Sequence, residues 1–244
     1  MSLNIFEIRN YVLQPHMTEH FIDYFEANFI TTQTAVKMHV LGQFRVIGEP
    51  DHYVWMRGFN DMQSRHNGLE SFYGGPVWKQ HRTTTNSMII DSDNVHLLRP
   101  LDSNLDLTCG QTSETLATAL ADSSISPETG MVAIDFYQAK SGQLDDLINT
   151  IQSELLPIYH SEDIDFRGAF VAEMSENTYP RLPAMQNEHE LVIITVYESE
   201  AQGRAIRSQL APTVTQILGS YLSAPPESLL LSPTLRSPLR YLHR

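Results

Sequence analysis

The sequence predicts an α+β protein made of two tandem ferredoxin-like (βαββαβ) units that close on each other as a pseudo-dimeric α/β barrel. Three observations point there. The chain repeats itself: an offset of 126 residues pairs Ile8 with Ile134, Tyr11 with Tyr137, Phe21 with Leu147, and Gly42-Gln43-Phe44 with Gly168-Ala169-Phe170. Farther along the offset becomes 138, pairing Phe59 with Tyr197 and Pro100-Leu101 with Pro238-Leu239, so the second copy carries a 12-residue insertion at about 175–186. Within each copy the apolar pattern switches between period 2 and period 3.6 in the order strand, helix, strand, strand, helix, strand. A sheet with helices on one face leaves its other face bare, and two copies in one chain can supply that cover for each other. The alternative is that each copy pairs with a second chain, giving a homodimer in place of a self-closed monomer.

The elements follow in order. Ile5–Leu13 is rich in β-branched and aromatic residues and stops at Gln14-Pro15. Thr18 can cap a helix in which Phe21, Phe25 and Phe29 recur at i, i+4 and i+8. Val40–Ile47 and Tyr53–Phe59 are two strands joined through Gly48-Glu49-Pro50-Asp51, a turn composition. Asp61 opens a second helix, which breaks at Gly74-Gly75-Pro76 and restarts with Trp78 and His81. Met88–Asp91 begins the last strand. The second copy places its helices at roughly Gln143–Tyr159 and Glu200–Leu222. The domains are therefore 1–101 and 131–244. Between them, 102–130 is an acidic linker with five acidic residues and no Lys or Arg. Ser113–Ala121 suits a short helix in it, with Leu116 and Leu120 as one apolar stripe.

Composition narrows the function. The 244 residues hold 16 Lys+Arg against 29 Asp+Glu, a formal charge of −13, which opposes binding to nucleic acid or an anionic membrane. With 41% hydrophobic residues the chain can bury a real core. The N-terminus shows no basic segment followed by an apolar run, and no stretch approaches the ~20 apolar residues of a membrane span. The single Cys109 excludes an intrachain disulfide and a multi-cysteine zinc site. From these features a cytoplasmic protein without membrane insertion is expected.

Phe6-Glu7-Ile8-Arg9-Asn10-Tyr11-Val12-Leu13-Gln14-Pro15 resembles the opening of the NIPSNAP family. Leu41-Gly42-Gln43-Phe44-Arg45-Val46, Trp55, and Asn60-Asp61 with Arg65 extend the likeness, which covers 4–101 well and 131–240 more weakly. The resemblance implies the dimeric α/β-barrel superfamily, which includes cofactor-free monooxygenases, isomerases, haem-degrading enzymes, stress-response proteins and non-catalytic members. It implies no single reaction, because function belongs to the site and not to the fold.

Strand alternation then sorts the side chains onto two faces. Phe6, Ile8, Asn10 and Val12 share one with Val40, Gly42, Phe44, Val46, Val54 and Met56. The second copy matches it with Val132, Ile134, Phe136, Phe166, Gly168, Phe170, Val192, Ile194 and Val196. This apolar face is expected under the helices. The other face carries Glu7, Arg9, Tyr11, His39, Gln43, Arg45, Tyr53, Trp55 and Arg57, and is expected to line the lumen between the sheets. There Arg9, Arg45 and Arg57 would either form an ion-pair network or hold an anionic or polar ligand.

A second candidate pocket lies between sheet and helices, where Asn10 would meet Trp78 and His81. A strand Asn facing a helix His resembles haem-degrading barrel enzymes. Their helix Trp is replaced here by Ser71, so no cofactor is expected and haem is the alternative. Cofactor-free oxygenation would need a base such as His66 or His81. His16-Met17-Thr18-Glu19-His20 matches a zinc-peptidase string, but helix-start polarity explains it better and no metal is expected. Seven of the ten His and both Trp precede residue 102, so pocket chemistry is expected in the first copy. The site expected from sequence comprises Arg9, Asn10, Tyr11, Arg45, Trp55, His66, Trp78 and His81, binding a small hydrophobic or aromatic molecule. The function would be ligand binding, extending to oxygenase or isomerase chemistry. The alternative is a non-catalytic interaction or stress-response protein.

Overall fold

The computed structural model describes residues 2–121 and 130–242. The first unit runs β1 (Ile5–Leu13), α1 (Thr18–Asn28), α2 (Ile30–Ala35), β2 (His39–Val46), β3 (Glu49–Phe59), α3 (Met62–Gly74), α4 (Pro76–Ser87) and β4 (Ile89–Pro100). After α5 (Ser113–Ala121) the second unit runs β5 (Met131–Gln138), α6 (Leu144–Thr150), α7 (Leu156–Ser161), β6 (Asp165–Ala172), β7 (Glu190–Tyr197), α8 (Glu200–Leu218) and β8 (Glu227–Pro233). The rest of the expected linker, 122–129, and the Leu120 side chain lie outside the described residues.

Local chemistry sets the breaks. Asp61 caps α3 by accepting from Ser64 N–H at 2.6 Å, and Pro76 occupies the first turn of α4, where its missing N–H costs nothing. A tight turn at Ile47-Gly48, with Gly48 at φ 93°, lets β3 start at Glu49, earlier than the turn composition suggested. Between α6 and α7 the helix widens to a π-turn over Ile151–Leu155, just before Pro157 withdraws its N–H from the ladder.

The eight strands form one closed barrel in the order β1-β3-β2-β8-β5-β7-β6-β4. Two seams join the units: β2 pairs with β8 (Phe44 opposite Pro233) and β4 with β6 (Leu98 opposite Ala172). The chain thus closes its own barrel. The duplication extends to an irregularity: the register slips between Val40 and Gly42 in β2 and between Phe166 and Gly168 in β6, positions 126 apart. A Cβ on Gly42 would lie 2.3 Å from the Phe44 ring, so the glycine is the space that ring fills.

The two faces are the reverse of the expected ones. Phe6, Ile8, Phe44, Val54 and Met56 pack with Val132, Ile134, Phe136, Phe170, Val192 and Ile194 in the lumen. Glu7, Arg9, Tyr11, Tyr53, Trp55 and Arg57 instead lie under the helices of the first unit. The physical reason is the supply of partners. The lumen core opposite is built of apolar side chains, with its one buried carboxylate, Glu190, already paired with His96, whereas α2 and α3 bring Gln33 and Arg65 to Glu7 and Arg57. The bulge also moves Val40 and Phe166 off the lumen face and onto the helix side.

Candidate functional site

At the centre of the first unit's sheet–helix layer, one carboxylate meets three guanidiniums. Glu7 on β1 accepts from Arg9 Nη1 at 2.9 Å, Arg57 Nε at 2.8 Å and Arg65 Nε at 2.6 Å. Glu7, Arg57 and Arg65 are 0% exposed and Arg9 is 1% exposed. Burial alone would push the Glu7 carboxyl up, but Arg57, Arg65 and Arg9 together hold it far below the usual carboxylate range. Burial likewise opposes the Arg9 charge, and the neighbouring Tyr11 and Glu7 outweigh it.

The remaining partners of these arginines are neutral. Arg9 Nε donates to Tyr11 Oη at 3.0 Å, Arg57 Nη1 to Gln33 Oε1 at 3.3 Å and Arg65 Nη1 to Asn177 Oδ1 at 2.9 Å. Three buried cations against one buried anion leave an excess of positive charge. Arg65 Nη2 has no hydrogen-bond partner among the described residues. The Trp55 ring spreads part of this charge over its face, with Arg57 at 5.0 Å and Arg9 at 5.7 Å from its centroid.

Above this layer, toward the helices, lies a cavity of about 30 Å³, bordered by Tyr11, Gln33, Trp55, Tyr73 and Trp78 with Phe21, Phe25, Phe29 and Phe72. Tyr11 and Gln33 therefore touch both the arginines and the cavity. Trp55 does as well, and its buried Nε1 has no partner among the described residues. Because Tyr11 already accepts from Arg9, its O–H remains available as a donor.

Residues 6–104 match the NIPSNAP family model. This stretch is a NIPSNAP domain. No curated protein matches the chain. Among solved structures, a candidate monooxygenase from Lactobacillus acidophilus is 10% identical, with a TM-score of 0.59 over 95% of this chain and 94% of its own. An anthrone oxidase-like protein is 9% identical, with a TM-score of 0.57 over 95% and 91%. At such identities the likeness is one of fold: both share the barrel over nearly the whole chain. A NIPSNAP-like domain protein from Burkholderia xenovorans is 25% identical over 40% of this chain and 85% of its own, with a TM-score of 0.37.

Within the NIPSNAP domain, the expected site residues separate into five places. Arg9, Tyr11, Trp55 and Trp78 come together at the cavity and the arginine layer. Arg45 does not join them; it sits at the rim, paired with Glu19 of α1 at 2.5 Å. Asn10 points to the lumen side, where its Oδ1 lies 3.1 Å from His52 Nδ1, so the Asn10–Trp78–His81 pocket is not formed. The strand Asn–helix His pair that a haem-type site would use is absent for the same reason, and His81 Nδ1 is engaged with Tyr24 Oη at 2.6 Å. His66 faces the insertion, 2.7 Å from Thr178 O, and does not border the cavity.

Sequence reasoning missed Arg65, Gln33 and Tyr73 as site residues, and it missed what the insertion does. Asn177 reaches Arg65, Thr178 Oγ1 donates to Met62 O at 3.3 Å, and the Tyr179 ring stacks on Tyr73 at 6.1 Å. The second unit's extra loop is thus a strap across the first unit's α3. Its Pro, Asn and Arg content signalled a loop, but its destination depended on which way the sheet faced. Among the described residues no helix is long and apolar enough to cross a membrane.

Proposed function

We propose that the NIPSNAP domain binds a small aromatic or apolar molecule bearing an ionised oxygen, a carboxylate or phenolate, above the arginine layer. One observation carries this: the buried Glu7–Arg9–Arg57–Arg65 cluster holds more positive than negative charge one side chain away from an aromatic-lined cavity, joined to it through Tyr11, Gln33 and Trp55. Uncompensated buried charge costs several kcal/mol, so an entering anion gains what the protein alone leaves unpaired. Tyr11 O–H and Trp55 Nε1–H supply donors for the anion, and the surrounding rings cover its apolar body. A molecule larger than a water or two needs Trp78 or the 177–182 strap to yield.

Cofactor-free oxygenation would use the same arrangement to hold a deprotonated substrate. It needs a base at the cavity, and neither His66 nor His81 borders it, so binding is the function proposed. The cavity's small volume favours a second reading, a closed structural cluster in a non-catalytic interaction or stress-response protein. The two readings differ in one measurement. Both tryptophans of the chain border this cavity, so intrinsic fluorescence reports on it directly. Salicylate is expected to quench that fluorescence saturably, and Tyr11→Phe to weaken binding about tenfold, the equivalent of one hydrogen bond. Absence of saturable quenching into the millimolar range would establish the closed cluster instead.

A further inference from the structure

The roomier sheet–helix space is in the second unit, where the sequence placed no chemistry. A cavity of about 200 Å³ lies between the sheet and α8, bordered by Asp135, Tyr137, Tyr159, Tyr197 and Arg207 together with apolar residues of the helix. Tyr159 and Tyr197 also border a second cavity of about 470 Å³ on their other side. The tyrosines are buried, and Tyr159 lies on α7, four residues past the π-turn over Ile151–Leu155, an irregularity that often accompanies a functional site. A cavity of roughly 150 Å³ is enough to admit benzene, so this one has room for a somewhat larger ring system.

Its polar groups differ in kind from those of the first unit. At the positions of Arg9 and Tyr11 the second copy has Asp135 and Tyr137. Asp135 is matched one to one by Arg207, which donates to Oδ2 at 2.8 Å and to Oδ1 at 2.5 Å, while Ser228 Oγ also donates to Oδ1. Charge is balanced here. Oδ2 carries a single bond and keeps acceptor capacity. Burial, reinforced by the Asp135 charge, pushes the Tyr137 and Tyr159 phenols up, so both stay protonated donors at neutral pH.

We propose that this cavity is a second binding site, separate from the NIPSNAP domain, for a neutral aromatic molecule bearing a hydroxyl group. The ring occupies the space between Tyr159, Tyr197 and the Leu210–Val214 face of α8. The hydroxyl donates to Asp135 and accepts from a tyrosine. An anion would meet the Asp135 carboxylate, and the one cation among the described residues that border the cavity, Arg207, is already paired with it, so the carboxylate counterpart of the same ring is rejected.

Naphthol tests this through its own emission, because the excited neutral form loses its proton in water and keeps it in a dry site. Protein is titrated into naphthol and, separately, into naphthoate. The expected result is saturable binding of naphthol at one site per chain, at least tenfold tighter than naphthoate and not displaced by excess salicylate. Ala211→Trp fills the cavity mouth from an exposed position on α8 and is expected to weaken binding at least tenfold. Tyr159→Phe conserves volume, removes one hydroxyl, and is expected to weaken it severalfold. Circular dichroism confirms that each variant is folded, and either one alone suffices for the comparison. Absence of saturable binding, equal affinity for naphthoate, undiminished binding in both variants, or displacement by salicylate would each overturn the proposal. Displacement by salicylate would place naphthol in the first unit's site, and the other outcomes do not bear on salicylate quenching of Trp55 and Trp78, so failure of this inference is distinguishable from failure of the first-unit function.

Discussion

Replacing Glu7 by Gln would keep the shape of the arginine cluster and remove its only buried anion. Arg9, Arg57 and Arg65 would then repel one another without compensation, a loss of about 3–5 kcal/mol on the scale of broken buried ion pairs. Urea unfolding of the Glu7→Gln variant measures it directly. The pH dependence has a fixed sign. The folded-state pKa of Glu7 is depressed, so its contribution is complete above the unfolded value of about 4.3 and is lost as pH falls through the folded value. The wild-type protein should therefore show no loss from this group between pH 7 and about 4.5, then a steep acid limb. The Glu7→Gln variant should be less stable throughout, with a flatter limb below that point. Arg45 is the contrasting case. Its partner Glu19 is largely exposed, so Arg45→Ala should cost about 1 kcal/mol or less in the same unfolding assay.

Among the elements, the 177–182 strap offers the clearest test, because it belongs to the second unit and works on the first. Asn177→Ala removes the acceptor of Arg65 Nη1 and the donor to Leu182 O, at a cost of about 1–3 kcal/mol. Loosening the strap should also raise acrylamide quenching of Trp78, whose ring packs on Tyr73 beside Tyr179. Quenching unchanged from wild type would show that the strap does not cover the cavity. The same region shows how far sequence carries. The βαββαβ order, the repeat, the insertion and the break at Gly74-Gly75-Pro76 were legible because turn chemistry and periodicity are local. Alternation also divided each strand correctly into two faces, apart from His39, Val40 and Phe166, which the bulges shift. It could not say which face meets helices, since either apolar or polar stripes can be buried when partners exist. The overlooked signal was in the partner elements. The second copy's facing strands offer Val132, Ile134, Val192 and Ile194, which cannot satisfy Glu7 or Arg57, whereas α3 carries Arg65 and α8 carries Arg207. That inversion placed Asn10 in the lumen and took it out of the expected pocket.

At the scale of the whole molecule, the shared lumen is expected to make the two units one thermodynamic body. Phe6 of the first unit packs edge-on against Phe170 of the second at 5.0 Å, and the rest of the lumen core mixes side chains from both. Neither sheet could keep that face in water, and both seams are strand-paired, so one chain of 27.7 kDa satisfies the barrel and a monomer is expected in native mass spectra. Phe170→Ala examines the coupling across the lumen. Truncating this fully buried ring should cost about 3–5 kcal/mol. Both tryptophans lie in the first unit, so their fluorescence follows only that half, while far-ultraviolet circular dichroism follows the whole chain. If the lumen is a common core, this second-unit substitution lowers the midpoint seen by tryptophan as much as that seen by circular dichroism, in a single transition. If the units are merely tethered neighbours, the tryptophan midpoint stays at its wild-type value while the dichroism curve splits into two steps.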